Sequence, residues 1–488
     1  MFKKNKSVFL LLSILLLLFV SHLVFLRADP DTSLDPGTRG ALTDEGLYAS
    51  QIKNFVHTGT FEAKENTTFV RGPLFNIIQY PFFAVFGTSL LVARLVVLCF
   101  CLLILFFVAK SQNMFLFWMI AIVLTMTQPH VFGFTHYALS EMMAVIVMLA
   151  ALHFFLKALE NNPNRNFFFA SLCVFISYSL KIQFLYLAAI LPALMFILWF
   201  FYKDPDRKTG LKYFVTASLF SVALFAFYIV CWYLPNRDFY DFVMSSETAQ
   251  RFPVGVKSMW EKTVMNFDTA LWKKPLSFLW IIAVISIPAG IILLVKQKSK
   301  TKRTIVFLFS LLWFLSELHK IPMNYLPNRY LLSTMFSAIL LGVSVLWLAL
   351  EYKSKWTYLL FIPFVFLLFM NLKYIHKSWS SRTYEIRNVS NYLSQTDFKN
   401  AYVLGAWAPS LTWNTSAHAV PVWGGYMNDK NPLQTFHPRV IITESDEKDN
   451  DQCYSKQNIQ LTKFADSVKS FVVGSYVLDI YWISPKAN

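Results

Sequence analysis

Two adjacent carboxylates, Asp44 and Glu45, stand in the polar stretch Thr43-Asp44-Glu45-Gly46-Leu47-Tyr48, shortly after the first apolar run. Arg71, Glu141, Lys181, His319, Lys320 and Arg329 each fall at or near the edge of an apolar run further along. A carboxylate can deprotonate or orient a hydroxyl nucleophile. Cations can stabilise the negative charge that develops on a leaving phosphate. These are the residue types that a group transfer from a phosphate-linked donor needs, with Asp44, Glu45 and Glu141 as candidate catalytic acids or bases. Lys181, Arg329, Arg71 and Lys320 are the candidate phosphate ligands, and Tyr48, His319, Tyr325 and Tyr330 the candidate substrate contacts. The histidines show no metal-ligand spacing such as His-Glu-x-x-His. No cofactor is demanded, and a divalent metal is compatible with the sequence without being required by it.

The elements that must position these groups follow from composition. Of 488 residues, 56% are hydrophobic and only 15% charged, against roughly 25% charged in soluble domains. A mean hydropathy of +0.46 agrees. A bilayer core needs roughly 20 apolar residues per helix, and many such runs occur, so the expected fold class is a polytopic α-helical membrane protein. The net charge of +16 sits largely in short loops between apolar runs, where Lys and Arg orient helices and meet anionic headgroups; nucleic acid is not an expected partner. Cys99, Cys101, Cys173 and Cys231 lie in apolar segments and Cys453 alone in a polar one, which excludes a disulfide framework.

Apolar runs at 8–26, 88–109, 114–131, 138–156, 213–234, 276–295, 305–318, 331–350 and 357–372 are each one expected span. The run 167–202 spans some 54 Å as a single helix, too long for one crossing, so it must fold back, and Lys181 marks the turn. The total is about eleven transmembrane helices. Basic loops at 110–112, 157–165, 203–212, 296–303 and 353–355 assign one face to the cytoplasm. Asp44, Glu45, Arg71, His136, Glu141, Lys181, His319, Lys320 and Arg329 then all fall on the other face. Residues 27–87 form the first outer loop: Asp35-Pro36-Gly37 is a turn, Thr43 an expected N-cap, and 44–56 an amphipathic helix along the membrane surface. From residue 373 the composition becomes that of a soluble, outer α/β domain, with strands expected at 401–404, 440–443 and 471–473, a helix at 384–393 and an acidic loop at 444–451. Asp204-x-Asp206 and Asp449-x-Asp451 are read as chance, and the sequons at Asn66, Asn388 and Asn414 as short triplets of little weight.

Several stretches resemble the GT-C glycosyltransferases, the superfamily of protein O-mannosyltransferases and aminoarabinose transferases. Asp44-Glu45 with Tyr48 and Gly59 is similar to their first-loop acidic signature. Arg71-Gly72-Pro73-Leu74, Phe86-Gly87 and Ala93-Arg94-Leu95 are similar to the stretch that follows it. Ala138-Leu139-Ser140-Glu141, Ser179-Leu180-Lys181-Ile182-Gln183 and Tyr325-Leu326-Pro327-Asn328-Arg329-Tyr330 resemble later motifs, though Gly72 and Ile182 stand where prolines are common. The resemblance implies an inverting hexosyl or pentosyl transfer from a polyprenyl-phosphate sugar to a lipid, glycan or protein acceptor outside the cytoplasm, with Asp44 as base and Lys181 and Arg329 on the donor phosphate. The absence of eukaryotic targeting signals favours a bacterial inner membrane. Two rival classes remain at this stage. A secondary transporter or lipid flippase would place its charges near the midplane on repeated halves, and no repeat is visible here. A scaffold would merely present residues 373–488.

Overall fold

The computed structural model describes residues 2–34, 39–62, 65–110, 114–201, 207–243, 252–272, 276–296, 301–352, 359–399, 401–424, 427–445 and 453–483. The turn at 35–37, loop residues 203–206, 297–300 and 353–355, the acidic run 446–451 and both Asp-x-Asp triplets lie outside them.

The chain is an integral, multi-pass membrane protein. Seven helices among the described residues are long and apolar enough to cross a bilayer by themselves. Phe115–Thr127 and Pro129–His136, bent by 80°, add an eighth crossing if taken as one span. The three remaining apolar runs form the helices Phe2–Leu23, Pro163–Leu180 and Lys302–Glu317. At 1.5 Å per residue, the 16 residues of Lys302–Glu317 reach only about 24 Å of a core about 30 Å thick. The 80° bend has a local cause: Pro129 opens the second helix, and the Gln128 side chain caps it by accepting from the Val131 N–H at 2.9 Å. Ser140–Ala158 and Leu332–Ala349 are almost wholly buried and form the centre of the bundle, whereas Arg207–Tyr228 leaves most of its surface to lipid.

Lys181 is the expected break. Its backbone is extended (φ −157°, ψ 116°) after the helix Pro163–Leu180, and the chain resumes as 3-10 turns over Ile182–Ala189 before the helix Ile190–Phe201. The Cα of Gly72 lies against this break. A Cβ added there would sit 2.3 Å from the Leu180 carbonyl oxygen, so only glycine lets the first loop approach so closely.

Two expectations for the first loop are corrected. The helix starts at Gly40 and runs to Thr58, with Arg39 rather than Thr43 at its N-cap. Asp44 and Glu45 therefore lie in its second turn, beyond the reach of the helix-terminus dipole. Nor does the helix lie open along the membrane surface: fourteen of its residues, including Thr43, Ser50, Gln51, Lys53 and Asn54, are buried. A roof supplied by distant sequence explains this. Leu42 packs into the cluster of Trp407, Leu411, Ile442 and Val473, while Ala49 and Ile52 pack with Phe83, Ala93 and Ala138 on the bundle side. Gly46 lies directly under the short helix Ala408–Leu411, where a Cβ would meet the Ser410 nitrogen at 2.3 Å. Lys53 donates to the Thr412 carbonyl and hydroxyl at 2.5 and 3.0 Å, and Asn54 Nδ2 to the Ala419 carbonyl at 3.0 Å. Burial lowers the Lys53 ammonium to about 7. Asn66 is also buried and donates to the Leu47 carbonyl at 2.7 Å, so that sequon serves the packing of the loop.

The roof is the C-terminal sheet region. Strands β1 (Tyr402–Leu404), β2 (His418–Val420), β3 (Val440–Glu444), β4 (Ala465–Val473) and β5 (Tyr476–Ile483) form one sheet in the order β2-β1-β3-β5-β4. β1 runs parallel to β2 and β3, and β5 antiparallel to β3 and β4. Residues 401–404, 440–443 and 471–473 are in strands as expected, apart from the first position, Ala401; β2 and β5 are additions. The last apolar helix, Ile362–Ser380, runs on past residue 372. Asp29 then clamps the start of the helix Glu385–Leu393, accepting from the Glu385 and Ile386 N–H groups at 2.6 and 3.1 Å.

Candidate functional site

Four separated pieces of sequence meet where the buried helix Gly40–Thr58 crosses the ends of the bundle helices. Asp44 comes from its second turn and Tyr48 from the next turn of the same face. Glu141 comes from the first turn of Ser140–Ala158, Lys181 from the broken helix, and Arg329 with Tyr330 from the 3-10 turn Asn328–Leu331. Asp44 Oδ2 lies 3.1 Å from Arg329 Nε. Lys181 Nζ bonds both Glu141 Oε1 and the Tyr48 hydroxyl, and that hydroxyl also donates to Glu141 Oε1 at 3.4 Å. The Tyr330 ring joins the two halves: Lys181 Nζ stands 5.5 Å from its centroid and the Arg329 guanidinium 5.4 Å. Burial, and then the Glu141 and Asp44 carboxylates, push the Tyr48 phenol well above its usual range, so it stays a neutral hydrogen-bond donor. The constellation holds two carboxylates and two cations with very little exposure to water.

Glu45 has a different occupation. Its two oxygens receive Arg94 Nε at 2.8 Å and an Arg94 terminal nitrogen at 2.5 Å, and Oε1 also accepts the Ala138 N–H at 2.6 Å. Arg94 in turn donates to the carbonyls of Phe25, Leu26 and Ala28. The pair is buried, at 0% and 2% exposure, and it ties the first loop to the end of the first helix and the start of Ser140–Ala158. Glu45 is thus consumed by structure, in contrast to the catalytic expectation. Adjacent helical residues project about 100° apart, which is why the two carboxylates face different partners.

Lys320 likewise departs from expectation. Its ammonium bonds Glu317 Oε2 at 2.6 Å and the Tyr330 carbonyl at 3.1 Å. Glu317 also accepts from Ser333 at 2.6 Å, Thr334 at 3.1 Å and the Tyr186 hydroxyl. Lys320 is therefore neutralised inside the bundle beside the loop that carries Arg329. His319 is exposed, donates to the Ser316 carbonyl at 2.5 Å and edges onto Tyr186; it stands outside the constellation. Tyr325 is 48% exposed, with its ring 6.5 Å from Tyr330. Arg71 ends the short helix Thr68–Arg71, half-buried, one residue before the Gly72 contact with the Lys181 break. His136 packs on His22, with their Nδ1 atoms 3.0 Å apart. Among the described residues no group of three or more His, Cys, Asp or Glu side chains is placed to hold a metal ion.

Glu317 was not singled out from the sequence, and Arg94 only within the stretch Ala93-Arg94-Leu95, without a role. The signal was available: each is a lone charge within an otherwise apolar run, and such a charge is costly unless paired or functional.

With this geometry, comparisons with solved structures are informative. The chain is similar to the crystal structure of ArnT from Cupriavidus metallidurans bound to undecaprenyl phosphate, with a TM-score of 0.58 and 12% identity over 99% of each chain. The chain shares the fold of ArnT. ArnT in the apo state gives a TM-score of 0.57 at 12% identity, covering 98% of each chain. A weaker likeness, with a TM-score of 0.48 and 11% identity, is to the Archaeoglobus fulgidus oligosaccharyltransferase in complex with Zn and sulfate; it covers 88% of this chain and 67% of that one. At such identity the likeness to ArnT is one of fold. No family model and no curated protein matches the sequence.

Proposed function

We propose that this protein is a membrane glycosyltransferase that moves a sugar from a polyprenyl-phosphate donor to a lipid, glycan or protein acceptor. Transfer takes place on the side of the membrane that carries the sheet region, outside the cytoplasm. The observation that carries the reading is the meeting of Asp44–Arg329 with Lys181, Glu141, Tyr48 and Tyr330 in one buried constellation. That ArnT, with the same fold, was crystallised with undecaprenyl phosphate is in keeping with such a donor.

In this mechanism the acceptor hydroxyl approaches Asp44, which takes its proton as the new bond to the anomeric carbon forms. The bond from that carbon to the phosphate oxygen breaks in the same step, so the configuration inverts, and polyprenyl phosphate leaves. Lys181 and Arg329 meet the charge that develops on the phosphate. In a site shielded from water these cations act in a low dielectric, where they stabilise the transition state more than they would in solution. Glu141 holds Lys181 in place, and Tyr48 offers a fixed donor to the phosphate or the sugar ring.

The test is transfer from a synthetic undecaprenyl-phosphate sugar by protein in liposomes, with Asp44→Asn as the decisive variant. A fully active D44N protein would sink the base assignment. Mass spectrometry of envelope lipids and glycans from cells lacking the gene identifies the sugar and the acceptor.

A further inference from the structure

Away from that constellation, a cavity of about 450 Å³ opens where the first helix ends, a size in the range of small-ligand pockets. Its walls are of two kinds. Leu23, Val24, Leu26, Leu91 and Leu95 make the apolar side, while Arg27, Tyr384 and Arg387 make the polar rim. Leu23 closes the helix Phe2–Leu23 and Leu91 is the second residue of Leu90–Lys110, so the apolar side lies at the ends of two neighbouring helices. The rim residues Tyr384 and Arg387 belong to the chain entering the sheet region. Apolar wall and basic rim thus meet at the level of lipid headgroups.

Among the described residues neither Arg27 nor Arg387 makes a hydrogen bond or an ion pair. The neighbouring carboxylates are committed elsewhere. Asp29 caps the helix Glu385–Leu393 and accepts from the Thr383 hydroxyl at 2.8 Å, and Glu385 accepts the Gly474 N–H at 2.5 Å. A third cation, Arg382, lies against Phe25 and Trp379, with no hydrogen-bond partner for its Nε. Two arginines on the rim of one apolar trough favour an anion between them, and guanidinium groups match phosphate oxygens in a planar, two-pronged fashion. None of these residues belongs to the Asp44–Lys181–Arg329 constellation.

We propose that this cavity is a second lipid site: it binds the headgroup of an anionic phospholipid between Arg27 and Arg387, with the lipid chain along Leu23, Leu91 and Leu95. The site would fasten an anionic lipid at the seam between the bundle and the sheet region. Because the assay reads lipid binding and not transfer, this inference stands or falls apart from the glycosyltransferase reading.

The full-length protein in neutral detergent is titrated with dioleoylphosphatidylglycerol, with dioleoylphosphatidylcholine and with inorganic phosphate, and bound lipid is counted by native mass spectrometry. The Arg27→Ala/Arg387→Ala variant alters only exposed side chains and is expected to fold. Leu95→Trp blocks the apolar trough independently. Wild type is expected to bind one phosphatidylglycerol at least about tenfold more tightly than either variant does, and more tightly than it binds phosphatidylcholine. Millimolar inorganic phosphate is expected to leave that lipid in place. Equal binding by wild type and both variants overturns the proposal. So does equal binding of phosphatidylcholine, which carries the same phosphate diester without net negative charge and would mean that the rim does not select an anionic lipid. Displacement by inorganic phosphate, lost in the arginine variant, would make the site one for a free anion and overturns it too.

Discussion

Replacing Glu45 by Gln separates the two neighbouring carboxylates by what they do. In the native chain Glu45 receives two Arg94 nitrogens at 2.8 and 2.5 Å, with both side chains shielded from water. Glutamine keeps the shape and can still accept the Ala138 N–H, so what is lost is the countercharge. Arg94 is left positive without its paired carboxylate, among the Phe25, Leu26 and Ala28 carbonyls and the Tyr137 ring. Removing one partner of a buried ion pair costs about 3–5 kcal/mol. Fluorescence-detected size exclusion after heating measures this, in parallel with transfer per folded molecule. E45Q is expected to lose its folded peak at a clearly lower temperature while the surviving molecules transfer at near the native rate. D44N is expected to do the reverse. Its pair with Arg329 lies at the less buried edge of the site, with side chains 8% and 11% exposed, whereas loss of a general base lowers the rate about 10²–10⁴-fold. If E45Q melts at the native temperature yet has lost transfer, the division of labour between Asp44 and Glu45 is the wrong way round.

Lys181→Met strands Glu141 without its cation and is expected to cost about 3–5 kcal/mol in thermal assays; adding Glu141→Gln restores most of that stability and none of the transfer. The unfolded chain carries a proton on Lys53 up to the ordinary value of 10.5, but the folded chain releases it near 7. The unfolded state therefore binds more protons across that window, and stability rises with pH from about 7 towards 10.5. Lys53→Met is expected to flatten this rise in melting curves taken at pH 7, 8 and 9. Gly46→Ala puts a methyl 2.3 Å from the Ser410 backbone nitrogen, which neither backbone can yield without shifting. Overpacking of this kind costs about 1–3 kcal/mol, and limited proteolysis is expected to release the sheet region sooner.

Hydropathy and loop charge made the spans legible, and a solitary Lys181 inside a run too long for one helix pointed to the break that the backbone adopts. Glu141 and Arg329 could be singled out because each charge stood at the edge of an apolar run, and Asp44 with Tyr48 because they share the acidic stretch of the first polar loop. The contrast between Asp44 and Glu45 could not be read. It depends on which side of one helix faces Arg94, a partner 49 residues away from Glu45. The burial of the helix Gly40–Thr58 was equally hidden, since its cover comes from Trp407, Ser410, Thr412 and Ala419, some 360 residues later. Lys320 misled for the opposite reason: an interfacial lysine and one neutralised by Glu317 look alike until the chain has folded.

The close fit at Gly46 bears on how the molecule can be dissected. Asp44 sits two residues from a point where backbone touches backbone across the seam. Any ligand that tilts the sheet must therefore carry the carboxylate with it. Cutting the chain after the last membrane helix would remove the ceiling over the helix that carries Asp44. For this molecule the C-terminal quarter is part of the frame that holds Asp44 in place.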